Sequence, residues 1–254
     1  MGTVSKALAL LDILAGPGAR LGLTEISKLS GYDKATTRRL LVELKGAGFV
    51  EQDDESRDYM LGPSLLMLGR VREERFPFVR IIQPVVRALA EATGESVHAS
   101  EFGGGAMNSV CVQASDKSNR VIIEVGERLP LHATASGIAF LAASTPAFVS
   151  AALGKPLARL SSATKTDPAA VMALVAEARA RGYSLSEQFK ESGVNSVASA
   201  ILNPRGAPVG AIAVAMPSAR ATAEVLAQCG AAVCGAAADI STRLYGATAV
   251  RRGA

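Results

Sequence analysis

Apolar residues recur with helical spacing in the first third of the chain. Val4, Leu8, Leu11, Leu14 and Ala15 predict a helix stopped by Gly16-Pro17-Gly18. A second helix opens at Leu23-Thr24, with Thr24 as its expected N-cap and Ile26 and Leu29 expected inward, and Gly31 ends it after two turns. Asp33 then caps a third helix, Lys34 to Ala47, closed by Gly48. Phe49-Val50 and Tyr59-Met60-Leu61 flank the polar turn Gln52–Arg57, which predicts a hairpin. Helix, short helix, tight turn, longer helix and hairpin make a winged helix-turn-helix. A further helix resumes at Ser64 and becomes charged at Arg70, Arg72, Glu73, Glu74 and Arg75 before Pro77. It reads as a linker.

Beyond an amphipathic helix at Val79–Thr93, the period changes at Gly94. Ser96–Phe102 and Asn108–Ala114 read as a hairpin across Gly103-Gly104-Gly105, and the β-branched run Arg120–Val125 as a third strand. Short helices are expected at Ser136–Ala143 and Pro146–Leu153, and a longer one starts at Asp167-Pro168 and stops at Gly182. Strands at Val194–Leu202 and Pro208–Met216 flank the turn Asn203–Gly206, and Thr222 to Tyr245 closes as a helix. A sheet with separate helices makes this part α+β.

The third helix carries the first functional signal. At 100° per residue, Thr37, Leu40, Leu41 and Leu44 cluster on one side, and Ala35, Arg38, Arg39 and Val42 fall opposite. Small residues with two arginines suit the major groove, where Arg bridges the acceptors of guanine. Lys34 and Thr36 occupy the first turn, whose free amides favour phosphate. The expected DNA-reading set is therefore Lys34, Ala35, Thr36, Thr37, Arg38 and Arg39, with Arg57 at the hairpin tip reaching a phosphate or the minor groove. The competing reading is a helix-turn-helix that serves only in protein contacts.

Charge changes this picture little. The 254 residues carry a net +4, yet residues 1–75 hold eleven Lys/Arg against eleven Asp/Glu, so the excess lies downstream. The basicity is local: Arg20, Lys28, Lys34, Arg38, Arg39 and Lys45 precede an acidic cluster at Glu51, Asp53, Asp54 and Glu55. Three cysteines without CxxC spacing argue against a disulfide scaffold or structural zinc and fit a reducing cytoplasm. The run Val225–Ala238, interrupted by Gln228 and two glycines, falls short of the ~20 apolar residues of a bilayer span. The opening residues lack the layout of a signal peptide, so a cytoplasmic location and no membrane partner are expected.

Reactive constellations are scarce. Only His98 and His132 are available, with no nucleophile elbow, HExxH or phosphate loop. His98, Cys111 and Glu101 would form a metal site only if the strands paired to suit, and core packing is the alternative. The segment His132–Gly137 joins a strand to a helix N-terminus, where amides attract a carboxylate; a plain helix cap explains it equally well.

The stretch LTEISKLSGYDKATTRRLLVELKGAGFVEQDDESRDYMLGPSLLMLG resembles the DNA-binding region of the IclR family of bacterial transcription regulators. ERLPLHATASGIAFLA and RARGYSLSEQFKESGVNSVASAILNPRGAPVGAIAVAMP resemble two further family blocks, in the same order. The resemblance runs from about Val4 to Tyr245. It implies a winged helix-turn-helix at residues 1–62, a linker helix at 63–76 and a GAF-like effector-binding domain at 77–254. It also implies operator DNA and a small effector as partners, no cofactor, and homodimers paired through the DNA-binding domains or homotetramers. It implies pocket roles for Thr134, Ala135, Ser136, Gly137, Ser186, Glu187 and Ser196, with Asn195 alternating outward. Two departures stand out: Ile138 replaces a frequent Lys, and Ala213 and Ala215 replace a frequent Ser-x-Ser pair. Lost hydroxyls disfavour a very small oxo-acid such as glyoxylate and favour a larger, less polar acid or an aromatic compound. The expectation is a non-enzymatic, ligand-responsive regulator of a catabolic operon. The alternative is a catalytic or metal-binding α+β domain that uses its helix-turn-helix for assembly.

Overall fold

A computed structural model describes residues 2–16 and 18–246; Met1, Pro17 and residues 247–254 lie outside that description, and with them the proposed stop at Pro17. The chain divides into two compact units at Pro77/Phe78.

The first unit runs α1 (Thr3–Leu14), α2 (Leu23–Ser30), α3 (Lys34–Gly46), β1 (Val50–Gln52), β2 (Tyr59–Leu61) and α4 (Pro63–Arg75). Leu10, Leu14, Ile26, Leu40, Leu41, Val50 and Tyr59 form its core. Three expectations need correction. Val4 and Leu8 are exposed, because the buried stripe of α1 runs through Leu10 and Leu14 instead. Leu29 is exposed, because a two-turn helix buries only Ile26 fully. Thr24 is not the cap of α2: the helix begins one residue earlier, at Leu23, and the capping residue is Gly22, which makes no side-chain bond.

The end of α3 is tied to the start of α4. Gly48 (φ +74°) takes a left-handed turn, and its carbonyl accepts from Ser64 N–H, while Ser64 Oγ donates to the Ala47 carbonyl. A Cβ at Gly62 would fall 2.3 Å from the Gly48 oxygen, so only glycine permits this approach. Helix α4 has no buried residue, and Leu66, Met67, Leu68 and Val71 are exposed along it.

The second unit contains α5 (Phe78–Thr93), β3 (Ser96–Gly103), β4 (Ala106–Gln113), β5 (Arg128–Leu129), α6 (Ala135–Ala143), α7 (Pro146–Leu153), α8 (Pro168–Arg181), β6 (Ser184–Glu187), β7 (Val194–Leu202), β8 (Pro208–Pro217) and α9 (Ala223–Tyr245). The six strands form one antiparallel sheet in the order β5-β4-β3-β8-β7-β6. Helices α5 and α9 cover one face and α6, backed by α8, the other. By length and composition α9 would cross a bilayer. Its apolar stripe (Cys229, Val233, Ala237 and Ile240) is instead buried in this unit, where α9 packs on β7, β8 and α5.

The run Arg120–Val125 is not a strand. The outer edge of β4 pairs instead with Arg128 and Leu129, and side chains hold the preceding segment. Ser96 Oγ donates to the Val121 carbonyl at 2.7 Å. The buried Glu95 carboxylate accepts from Arg220 Nε (2.8 Å) and Nη2 (2.7 Å) and from Lys117 Nζ (2.8 Å), and Arg220 also donates to the Asn119 carbonyl. Against the desolvation that opposes it, these two cations hold the Glu95 carboxyl below its usual value.

Candidate functional site

The reading head is built on α3. Asp33 caps it, accepting from the Thr36 amide and hydroxyl at 2.8 Å each, and these bonds hold its carboxyl below the usual range. Lys34, Ala35, Arg38 and Arg39 are exposed and Thr36 is half-buried. Thr37 must be removed from the set: it is fully buried, and its hydroxyl donates to the Asp33 carbonyl at 2.9 Å. Its place on the Leu40/Leu41 side of the wheel already implied as much.

Arg38, Val42 and Lys45 form a stripe on α3 that walls a groove, with Gln52, Ser56 and Arg57 of the wing opposite. Arg57 sits at φ +62°, the left-handed position of the wing turn. That turn is held by Asp53, which accepts from the Glu55 and Ser56 amides, and by Gln52, which donates to the Arg57 carbonyl. Val42, Lys45, Gln52 and Ser56 were missed as candidate contacts. The helical wheel finds Val42 and Lys45, but the wing residues need the tertiary turn.

The second unit carries a cleft of about 510 Å³, counting its open mouth. Strand register sets two neighbouring rows, of which Ser186, Ser196, Ala215 and His98 reach the cleft. Ser186, Ser196, Ala215 and Ser96 lie side by side across β6, β7, β8 and β3; Ser184, Ala198, Ala213 and His98 form the next row. Helix α6 begins over these rows. Thr134 caps it by accepting from the Gly137 amide, so the amides of Ala135 and Ser136 are left without an intrahelical acceptor. Thr134, Ala135, Ser136, Ser186, Ser196 and Ala215 all line the cleft.

Three expected pocket residues do not. Ala213 is sealed beneath α6 against Ala135, Ala139 and Ala198, although His98, its neighbour in the same row, reaches the cleft. Gly137 is a packing residue: a Cβ there would fall 2.4 Å from Leu131 Cα. Glu187 is exposed on the opposite face of β6 from Ser186, as alternation requires. Asn195 also turns from the cleft, but is buried there, its Oδ1 without a partner. Ile138 is buried in the core under α6.

Sequence reasoning missed the charged part of the lining: Glu127, Lys190 and Glu191, together with His98, Leu129 and the Val121–Ile123 segment. Lys190 Nζ donates to Glu127 Oε1 across the cleft, joining positions 63 residues apart, so no local pattern signals the pair. His98 is 6% exposed; its Nε2 lies 3.2 Å from Ser136 Oγ and its Nδ1 has no partner. Burial, aided by the Lys190 charge, lowers its pKa to about 4, so the ring is neutral near pH 7. The pairing that a His98–Cys111–Glu101 metal site would need does not occur. Cys111 pairs with Ala99 while His98 pairs with Val112, and no metal-capable group of three His, Cys, Asp or Glu exists among the described residues.

A winged helix-turn-helix with an arginine-bearing third helix, followed by an α+β unit holding a small cleft, defines a DNA-binding regulator with a sensory domain. The IclR helix-turn-helix model matches residues 3–54 and the bacterial transcriptional regulator IclR C-terminal model matches residues 74–242. The chain belongs to the IclR family of bacterial transcriptional regulators. It is 28% identical over 247 residues to the transcriptional repressor IclR of Escherichia coli, covering 96% of this chain and 90% of that one. A crystal structure of an IclR-type regulator from Silicibacter sp. TM1040 is 40% identical over the full length of both chains, with a TM-score of 0.88. An IclR homologue from Microbacterium hydrocarbonoxydans, solved with 4-hydroxybenzoate, shares the fold at a TM-score of 0.77 and 21% identity, over 96% of this chain and 99% of that one. These relatives are regulators, and the catalytic or metal-binding alternative finds no support among them.

Proposed function

We propose that this regulator senses a small organic acid, aromatic in preference, in the cleft of its second unit, and that acid binding changes its affinity for operator DNA. The observation that carries the reading is the α6 terminus opening into the cleft, its first two amides without intrahelical acceptors, beside the neutral imidazole of His98. Such a terminus favours an anion by roughly 0.3–1 kcal/mol, more when partly buried. Ala215 and the apolar Val121, Ile123, Leu129 and Val194 offer a ring an apolar wall, beside the hydroxyls of Ser186 and Ser196. The Microbacterium homologue, solved with an aromatic hydroxy acid, is consistent with that class.

Lys34, Ala35, Thr36, Arg38, Arg39 and Arg57 are assigned to DNA contact, with Val42 and Lys45 added. Two copies pair through the exposed apolar residues of α4, where Leu66 is 62% and Met67 61% exposed; a helix without one buried residue needs a partner. Because Ser64 and Gly62 lock the start of α4 to the end of α3, a change in how two α4 helices meet moves the reading heads. A coupling of ~1–3 kcal/mol would change operator affinity ~5–150-fold.

The test is fluorescence anisotropy of the full-length protein on the DNA upstream of its own gene, with benzoate, 4-hydroxybenzoate, pyruvate and benzamide added in turn. An aromatic acid is expected to shift the binding curve at least fivefold and benzamide to leave it unchanged. Equal effects of benzoate and benzamide refute the acid; an effect of pyruvate alone refutes the aromatic preference.

A further inference from the structure

The cleft has a single lysine in its lining, and its charge is already engaged. Lys190, on the segment after β6, reaches across to Glu127, on the segment before β5; each side chain is about one-third exposed. We propose that Glu127 is a built-in counter-ion, which holds Lys190 across the cleft until the acid group of the effector takes its place, so that Lys190 selects for anions and Glu127 limits how tightly they bind. This inference rests on the acid-sensing reading above.

Three features bracket one spot. Lys190 and His98 line the same cleft, and His98 touches Ser136 in the first turn of α6. The ammonium, the imidazole and the open amides of Ala135 and Ser136 therefore face a common region, and the carboxylate nearest it is the protein's own. Swapping one carboxylate for another on the same ammonium leaves that contact almost unchanged in energy. The effector then gains through what Glu127 lacks: contact with the α6 amides and with the apolar lining. Glu127 is able to yield without disturbing the sheet. Its backbone stays anchored, because its carbonyl accepts from Ser109 N–H at 2.9 Å and the adjacent Gly126 N–H donates to the Ser109 carbonyl at 2.7 Å. Only the side chain must turn. As a tethered competitor, it lowers the affinity of every anion and of no neutral ligand.

The two members of the pair are thereby expected to act in opposite directions, whereas a merely structural ion pair would make both substitutions weaken binding. Calorimetry on the full-length protein with benzoate and benzamide separates these cases, with thermal melting to verify folding. Glu127→Gln is expected to bind benzoate about two- to fivefold more tightly than the wild type, the scale of a part-exposed ion pair, and benzamide equally. Lys190→Gln leaves Glu127 as an unpaired negative charge in the cleft and is expected to weaken benzoate binding about two- to fivefold and to narrow its preference over benzamide. In the double variant both charges are gone and benzoate affinity should return to near the wild-type value, carried by the α6 amides. Unchanged or weaker benzoate binding by a folded Glu127→Gln, or an undiminished preference in Lys190→Gln, overturns the counter-ion role while leaving acid sensing intact. A wild type that binds none of benzoate, 4-hydroxybenzoate and pyruvate removes both.

Discussion

Substitutions on α3 separate reading from folding. Arg38 and Arg39 are exposed, so truncating either to alanine opens no cavity and breaks no core contact. Arg38 lies in the groove between α3 and the wing, alongside Val42, Lys45 and Arg57. A lost bidentate contact to guanine costs ~1–3 kcal/mol, which lowers specific affinity about 5–150-fold. If Arg38 instead grips a phosphate, the loss is similar for all sequences, and the slope of log affinity against log salt flattens by about 0.9. Thr37→Val, one residue away, is near-isosteric but removes the bond to the Asp33 carbonyl. It should cost about 1 kcal/mol of stability and leave DNA affinity unchanged. Fluorescence anisotropy on specific and scrambled duplexes at 50–200 mM salt, paired with thermal melts, reads all of these outcomes. Arg38→Ala and Arg39→Ala variants that both bind like the wild type would sink the recognition-helix assignment. A folded Thr37→Val that loses operator binding would show that the buried side of α3 has been misread.

Other consequences are equally concrete. His98 stays neutral in the fold, with a pKa near 4 against an ordinary value of 6.5, so the unfolded chain takes up its proton first as pH falls. Its contribution to stability is therefore lost between about pH 6.5 and 4, by about 3 kcal/mol in all, and denaturant titrations of His98→Gln should lack that component. Gly137→Ala forces a methyl into the Leu131 backbone and should lower stability by about 1–3 kcal/mol in a thermal melt; unchanged stability would show that this approach is looser than 2.4 Å. Leu66→Glu on α4 should shift the protein toward monomers in light scattering without lowering its helicity, and an unaltered oligomer would remove α4 from the interface.

Local physics made much of this protein legible from its sequence. Periodicity, Asp33 and Thr222 at helix starts and Gly31, Gly48 and Gly182 at helix ends placed nearly every helix, because caps and stops act over four residues or fewer. The alternation of Ser196 and Ala198 follows from the strand expected at Val194–Leu202, as does the outward face of α3, whereas the short β6 at Ser184–Glu187 was not expected. The tertiary structure decided what depends on distant neighbours. The β-branched run Val121–Ile123 has strand propensity, yet the edge it would join is occupied by Arg128 and Leu129, and Ser96, Glu95 and Arg220 fix its surroundings instead. Ala213 and Ala215 look equivalent in sequence, and only the position of α6 makes one core and the other cleft wall. The Lys190–Glu127 and His98–Ser136 pairs bridge 63 and 38 residues, a separation at which spacing carries no information because the fold alone brings the partners together.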